Sequence, residues 1–190
     1  EPITLPALAP LPAHLRRPPP AAPAPAERQL PARQGQALHQ LLEWHSAQAA
    51  SKPASEAASE AASATLAHLQ QVHQLTPEQA QQAWQSAQAI LQGEGGWAWS
   101  AAELLWQGNE IDIAWQGKIL RLDRLVQRRP TASTPAAWWV LDYKSAPQPQ
   151  QQAALIAQLQ TYREAIKALH PQSSVNAAFL TADGKQVLVD

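Results

Sequence analysis

Apolar residues recur at helical spacing through the first half of the chain and at every second position through the second, and the change falls at the glycine cluster Gly93 to Gly96. In residues 34 to 50, Leu38, Leu41, Leu42 and His45 mark one side of a helix, with His39 at its border. Residues 55 to 74 repeat Ala and Ser, yet Ala58, Ala62, Thr65, Leu69 and Val72 keep helical spacing and predict a second helix. Ser51 to Ser55 reads as a mobile join between the two. Thr76-Pro77-Glu78-Gln79 announces a third helix, with Thr76 as N-cap, Pro77 at the first helical position and Gln79 placed to complete a capping box. Ala80, Trp84, Ala87 and Leu91 continue it, and Gly93 ends it.

From Trp97 onward the period falls to two, and aromatic and β-branched residues gather between turn signals. Strands are expected near 97–106, 110–116, 118–127 and 137–143, with turns at Gly108-Asn109 and Gln116-Gly117. The loop from Arg129 to Ala137 carries two prolines and reads as a mobile hairpin tip. A helix over about 150–169 follows, with Leu155, Leu159, Tyr162, Ile166 and Leu169 on the face that packs on the sheet. Val175 to Thr181, the Asp183-Gly184 turn and Gln186 to Val189 form a last hairpin. Helices, a meander, a crossover helix and more strands define an α/β (α+β) class around one central mixed sheet.

The 190 residues suffice for one domain with a substantial core. Most of the 17 prolines precede residue 32, so residues 1–32 read as an extended Pro/Ala-rich linker. Residues 33–190 form the folded unit, with a helical part over 33–92 and a sheet core over 97–190. The chain begins at Glu1 and has no methionine, which points to excision from a longer polypeptide, the linker leading back to a preceding domain. With no cysteine, disulfides, thiol nucleophiles and iron-sulfur clusters are excluded, leaving carboxylates and histidines as metal ligands. No apolar run approaches the roughly 20 residues of a membrane span, and the proline-broken N-terminal stretch lacks the positive start and continuous apolar core of a signal peptide, so the cytoplasm is the expected compartment. A net charge of −1 argues against tight autonomous binding to nucleic acid through a broad basic surface. Locally, however, Arg121, Arg124, Arg128 and Arg129 crowd around Asp123.

The chemistry centres on Asp142-Tyr143-Lys144, at the end of the apolar run Trp138 to Leu141. Alternation sets Asp142 and Lys144 on one face, where a carboxylate can hold a divalent cation and an ammonium can approach a water or a phosphate oxygen. Alone, the two residues equally make an ordinary ion pair at a strand end. Asp123 interrupts an apolar strand expected to pair with that of Asp142, so the two carboxylates can face one pocket. Mg²⁺ favours such a small carboxylate set, completed by water and phosphate oxygens. The other histidines, His14, His45, His68, His73 and His170, have no motif context. The tryptophans on the expected strands read as core or interdomain contacts.

Four segments in order resemble the RecB-like nuclease domains of the PD-(D/E)XK superfamily, found at the C-termini of UvrD-type helicases such as RecB and AddA. Gly35 to Glu43 is similar to that family's Gly-x-x-x-His helix, and Leu122-Asp123-Arg124-Leu125 to its Ile-Asp-Arg strand. Asp142-Tyr143-Lys144-Ser145 is similar to its Asp-Tyr-Lys-Thr motif, and Gln158 to Tyr162 to its Gln-x-x-x-Tyr helix. The resemblance covers residues 33 to 185 and implies a restriction-endonuclease-like core. It implies that His39, Asp123, Asp142 and the Tyr143 carbonyl ligate Mg²⁺ or Mn²⁺, that Lys144 acts on the nucleophilic water, and that Gln158 and Tyr162 border the site. Glu103 corresponds loosely to a further acidic position.

The same resemblance implies hydrolysis of DNA phosphodiesters, with single-stranded ends delivered by fused or associated helicase domains in double-strand break repair, and a second helicase-nuclease subunit as partner. The chain departs from the family in lacking a glycine just before Asp123 and in its enlarged Pro/Thr loop. A catalytically silent nuclease fold that binds DNA or a partner subunit is the alternative, kept open by the near-neutral charge.

Overall fold

The computed structural model describes residues 26–48, 55–145 and 148–190. Four helices and five strands follow in the order α1 (Ala26–Gln48), α2 (Ser55–His73), α3 (Pro77–Gln92), β1 (Leu104–Trp115), β2 (Lys118–Arg128), β3 (Ala137–Lys144), α4 (Ala153–Leu169), β4 (Ser174–Thr181) and β5 (Gln186–Val189). Short 3₁₀ turns precede β1 at Gly96–Trp99 and α4 at Pro149–Gln151. The sheet runs β1-β2-β3-β4-β5, antiparallel except for the parallel pair β3–β4, which α4 connects. This is a mixed α/β architecture with a single mixed sheet between two helical layers, as in the restriction-endonuclease-like fold.

Each sheet face has its own core. Leu38, Leu41 and Leu42 of α1, Leu69 of α2 and Ala83, Ala87 and Ile90 of α3 pack with Leu104, Val126, Leu141, Tyr143, Ala178 and Leu180. On the other face Leu159, Ala165 and Ile166 of α4 pack with Ile113, Leu122, Leu125, Val140, Ala177 and Phe179. The capping box is present: the Gln79 amide donates to Thr76 Oγ1, and the Gln79 side chain accepts from the Thr76 amide. Among the described residues no helix is long and apolar enough to cross a membrane.

Several expectations need correction. Helix α1 starts at Ala26, inside the stretch read as linker, because Ala26-Glu27-Arg28-Gln29-Leu30 are good helix formers and Leu30 packs against the α1–α3 core. Pro31 is accommodated within it. Residues 1–25 of the linker, and 51–54 of the expected join, lie outside the described residues. Trp97 and Trp99 sit in a 3₁₀ turn instead of a strand. Only the end of the expected strand 97–106, over 104–106, is extended, and it is continuous with the expected strand 110–116 in one strand, β1, which passes straight through Gly108-Asn109. Gly108 marks a close approach there and no turn: a Cβ on it would lie 2.7 Å from both Ile111 Cδ1 and Trp106 Cη2. The turn at Gln116-Gly117 does form, with φ of 47° and 76°, as a two-residue hairpin requires. The Arg129–Ala137 loop is knitted by a Thr131 amide to Thr134 carbonyl bond of 2.8 Å and by bonds to Thr131 Oγ1. Leu169 and Val72, expected to face the core, are 58% and 52% exposed, so helices α4 and α2 end their apolar stripes a turn earlier.

Candidate metal centre

The β1–β2 hairpin changes faces in its middle, and this builds the site. In a regular strand residues two apart share a face. Here the side chains of Gln107 and Asn109 reach Arg124 beside Ala98 and Trp99 on the α1–α3 side, while Ile111 and Ile113 pack against the α4-side core. On β2, Leu122 joins the α4-side core although Arg124 and Val126 face the other way. Both switches fall at one level, because Asn109 pairs with Arg124 and Ile111 with Leu122, leaving Glu110 across from Asp123. Glu110 makes its switch with φ of 49°, a left-handed conformation that costs a non-glycine residue about 1–3 kcal/mol and persists only where the surroundings enforce it.

At the same level the ladder between β2 and β3 ends. Pairing runs from Arg128 opposite Ala137 to Arg124 opposite Leu141. Beyond it, Asp123 Oδ2 accepts the Tyr143 amide at 2.9 Å, so a side chain completes the backbone bond that the parting strands leave open. Helix α1 supplies the fourth side. His39 lies with Nε2 3.6 Å from Asp123 Oδ2 and Nδ1 3.6 Å from Glu110 Oε1, and its ring meets Tyr143 edge-on at 5.2 Å.

One donor atom from each of His39, Glu110 and Asp123 lies within 4.8 Å of the others. An octahedral ion with bonds of about 2.1 Å places neighbouring donors about 3 Å and opposite donors about 4.2 Å apart; one His39 nitrogen and one oxygen from each carboxylate, all within 4.8 Å of one another, lie close to that spacing, and a small closure around an ion would complete it. Two carboxylate oxygens and an imidazole suit Mg²⁺ or Mn²⁺. The charge balance points the same way: burial, and then the negative charge of Asp142, push the Asp123 carboxyl up to about 6, outweighing the favourable pull of His39, the Tyr143 amide and Lys144. A cation bound there would relieve that strain.

Asp142 and Lys144 project to one side of β3, as alternation requires, with Lys144 Nζ 2.7 Å from Asp142 Oδ2. At that distance the ammonium compensates the charge of a carboxylate that is otherwise buried. Of the residues expected in the site, the structure thus brings His39 and Asp123 together and sets the Asp142–Lys144 pair beside them, with Asp142 close enough to perturb Asp123. Tyr143 takes part through its amide and its ring; its hydroxyl is buried, which holds the phenol protonated far above neutral pH. Glu103 precedes β1 and is paired with Arg128 at 2.6 Å, and the acidic residue of β1 within the cluster is Glu110, which sequence reasoning missed. Gln158 donates to the Tyr162 hydroxyl at 2.6 Å, forming a pair of their own on α4, with Tyr162 in the α4-side core.

Open clefts flank α1. One, of about 540 Å³, is lined by Gly35, Gln36, His39, Gln40, Glu43 and Glu110, among others. The second, of about 480 Å³, opens between α1, α3 and the end of β3, where Gln34, Gln82, Gln85, Ser86 and Ser145 contribute to its wall. A histidine-carboxylate cluster beside an Asp-x-Lys strand end, on a mixed sheet and with an open cleft reaching His39 and Glu110, is the equipment of a metal-assisted phosphodiesterase. Residues 11–188 match the family model of the PD-(D/E)XK nuclease superfamily, and the chain belongs to that superfamily. No curated protein matches the chain.

Proposed function

We propose that this chain is a RecB-like, Mg²⁺- or Mn²⁺-dependent deoxyribonuclease domain that hydrolyses single-stranded DNA delivered by fused or associated UvrD-type helicase domains. The observation that carries this reading is the convergence of His39, Glu110 and Asp123 next to the Asp142–Lys144 pair. In it, His39, Asp123, Asp142 and the Tyr143 carbonyl hold the metal, with Glu110 added to the set, and Asp123, Asp142 and Lys144 form the catalytic group. When bound, the ion supplies Lewis-acid neutralisation of the scissile phosphate and lowers the pKa of a coordinated water.

The chain's own groups do the positioning. Asp142 holds the Lys144 ammonium at the strand end, where it can donate to the attacking water or to a phosphoryl oxygen as negative charge builds there. Tyr143 locks Asp123 through its amide and supports the His39 ring. Gln158 and Tyr162 would border the substrate path. A net charge of −1 supports delivery by a motor, since the domain offers no broad basic surface with which to capture DNA unaided. Exonucleolytic work on DNA ends in break repair, in the cytoplasm and alongside a second helicase-nuclease subunit, fits that setting.

The test is cleavage of an end-labelled single-stranded oligonucleotide by the wild type, Asp142→Ala and Lys144→Ala proteins, with Mn²⁺ and with chelator. Cleavage by the wild type alone, and with metal alone, is expected. Equal cleavage by all three would sink the site assignment. A wild type that stays inert with metal, even within an intact helicase-nuclease assembly, would make the fold a silent scaffold.

A further inference from the structure

Arg124, next to Asp123 in sequence, is fully buried, and its guanidinium binds two separate segments at once. Nε and Nη2 donate to the Ala98 carbonyl at 3.2 and 2.6 Å, Nη2 also to Gln107 Oε1 at 2.6 Å, and Nη1 to Asn109 Oδ1 at 2.5 Å. The Trp99 ring covers it at 4.6 Å and stacks in turn on Tyr143, whose ring supports His39. The planar fork of arginine can serve these acceptors together; the point charge of lysine cannot. Its bonds to Gln107 and Asn109 pin β1 to the α1–α3 face as far as the residue before Glu110. From the residue after Glu110, Ile111 and Ile113 hold the strand on the opposite face. Glu110, at φ of 49°, is the joint between two anchored halves.

We propose that Arg124 is a positioning residue of the metal centre: by fixing Gln107 and Asn109 it enforces the left-handed turn that brings the Glu110 carboxylate to His39 and Asp123. This rests on the metal reading of that cluster. A residue that merely fills the core would, when its bonds are cut, loosen the sheet generally and leave metal affinity alone. A positioning residue moves the metal centre first.

Removing the buried guanidinium endangers folding, so the acceptors are changed instead, in the full chain, as Asn109→Ala and Gln107→Ala/Asn109→Ala. Mn²⁺ binding is measured by titration calorimetry, and amide hydrogen exchange is followed in chelator. The double variant is expected to weaken Mn²⁺ binding about tenfold and, with no metal present, to speed exchange over residues 108–112 while β3 and β4 keep wild-type protection. Unchanged Mn²⁺ affinity, or faster exchange spread evenly over the sheet, would overturn the assignment. A wild type that binds no Mn²⁺ would overturn the metal reading and this inference with it; normal binding with an unaffected variant overturns this inference alone.

Discussion

Replacing Asp123 by Asn should make the metal-free protein more stable at neutral pH, although it removes a residue at the centre of the site. Asp123 is buried beside Asp142, and its carboxyl is raised from an ordinary 3.8 to about 6. A carboxyl raised in the folded state binds its proton more tightly there than in the unfolded chain, so the contribution of Asp123 to stability is most favourable below pH 4 and is lost as the pH rises from about 4 through 6. A shift of this size corresponds to about 3 kcal/mol lost by pH 7.5. Asparagine keeps an oxygen for the Tyr143 amide and carries no charge.

In chelator, Asp123→Asn should therefore exceed the wild type by up to about 3 kcal/mol at pH 7.5, or about 6–12 °C in Tm for a domain of this size. The difference should shrink to near zero at pH 4. Mn²⁺ at 100 times its Kd should then raise the wild type by about 2.7 kcal/mol and the variant far less. Denaturant and thermal unfolding between pH 4 and 8, with and without Mn²⁺, measure all of this. A variant less stable than wild type at pH 7.5 in chelator, or a difference independent of pH, would refute the electrostatic argument.

Three further outcomes are expected. Lys144→Ala should lower the cleavage rate at saturating Mn²⁺ by a factor of about 10²–10⁴ with little change in Mn²⁺ affinity, since Lys144 is no ligand; single-turnover assays and calorimetry separate the two. Glu110→Gln should weaken Mn²⁺ binding at least tenfold, whereas Glu103→Gln, which loses only the contact with Arg128, should leave it unchanged in the same titration. Thr76→Ala should cost about 1 kcal/mol through loss of the α3 cap, lowering Tm in calorimetry without altering metal affinity or cleavage.

What could be read before folding depended on whether a signal was local. The α3 cap, the Gln116-Gly117 turn, the strand carrying Asp142 and Lys144 and the helix carrying Leu159 and Ile166 each follow from a few neighbouring residues, and they stand where expected. Gly108-Asn109 misled because a glycine there serves a close side-chain approach and no chain reversal. Trp97 and Trp99 read as strand by composition, but Trp99 is spent on the Leu42 carbonyl, which its indole N–H reaches at 3.2 Å, and on Arg124. Glu110 carries no motif at all, and its role comes from a backbone switch that alternation forbids. One signal could have found it: counting back five pairs from Trp115 and Lys118 at the hairpin turn brings Glu110 opposite Asp123.

The central claim is that this chain gathers His39, Glu110 and Asp123 around a divalent cation beside Asp142 and Lys144. Anomalous diffraction from a crystal soaked in Mn²⁺ tests it most directly. The account predicts a peak within about 2.0–2.4 Å of a His39 ring nitrogen and of carboxylate oxygens of Asp123 and Glu110. A site fully occupied elsewhere, with His39 and Asp123 left uncoordinated, would contradict it.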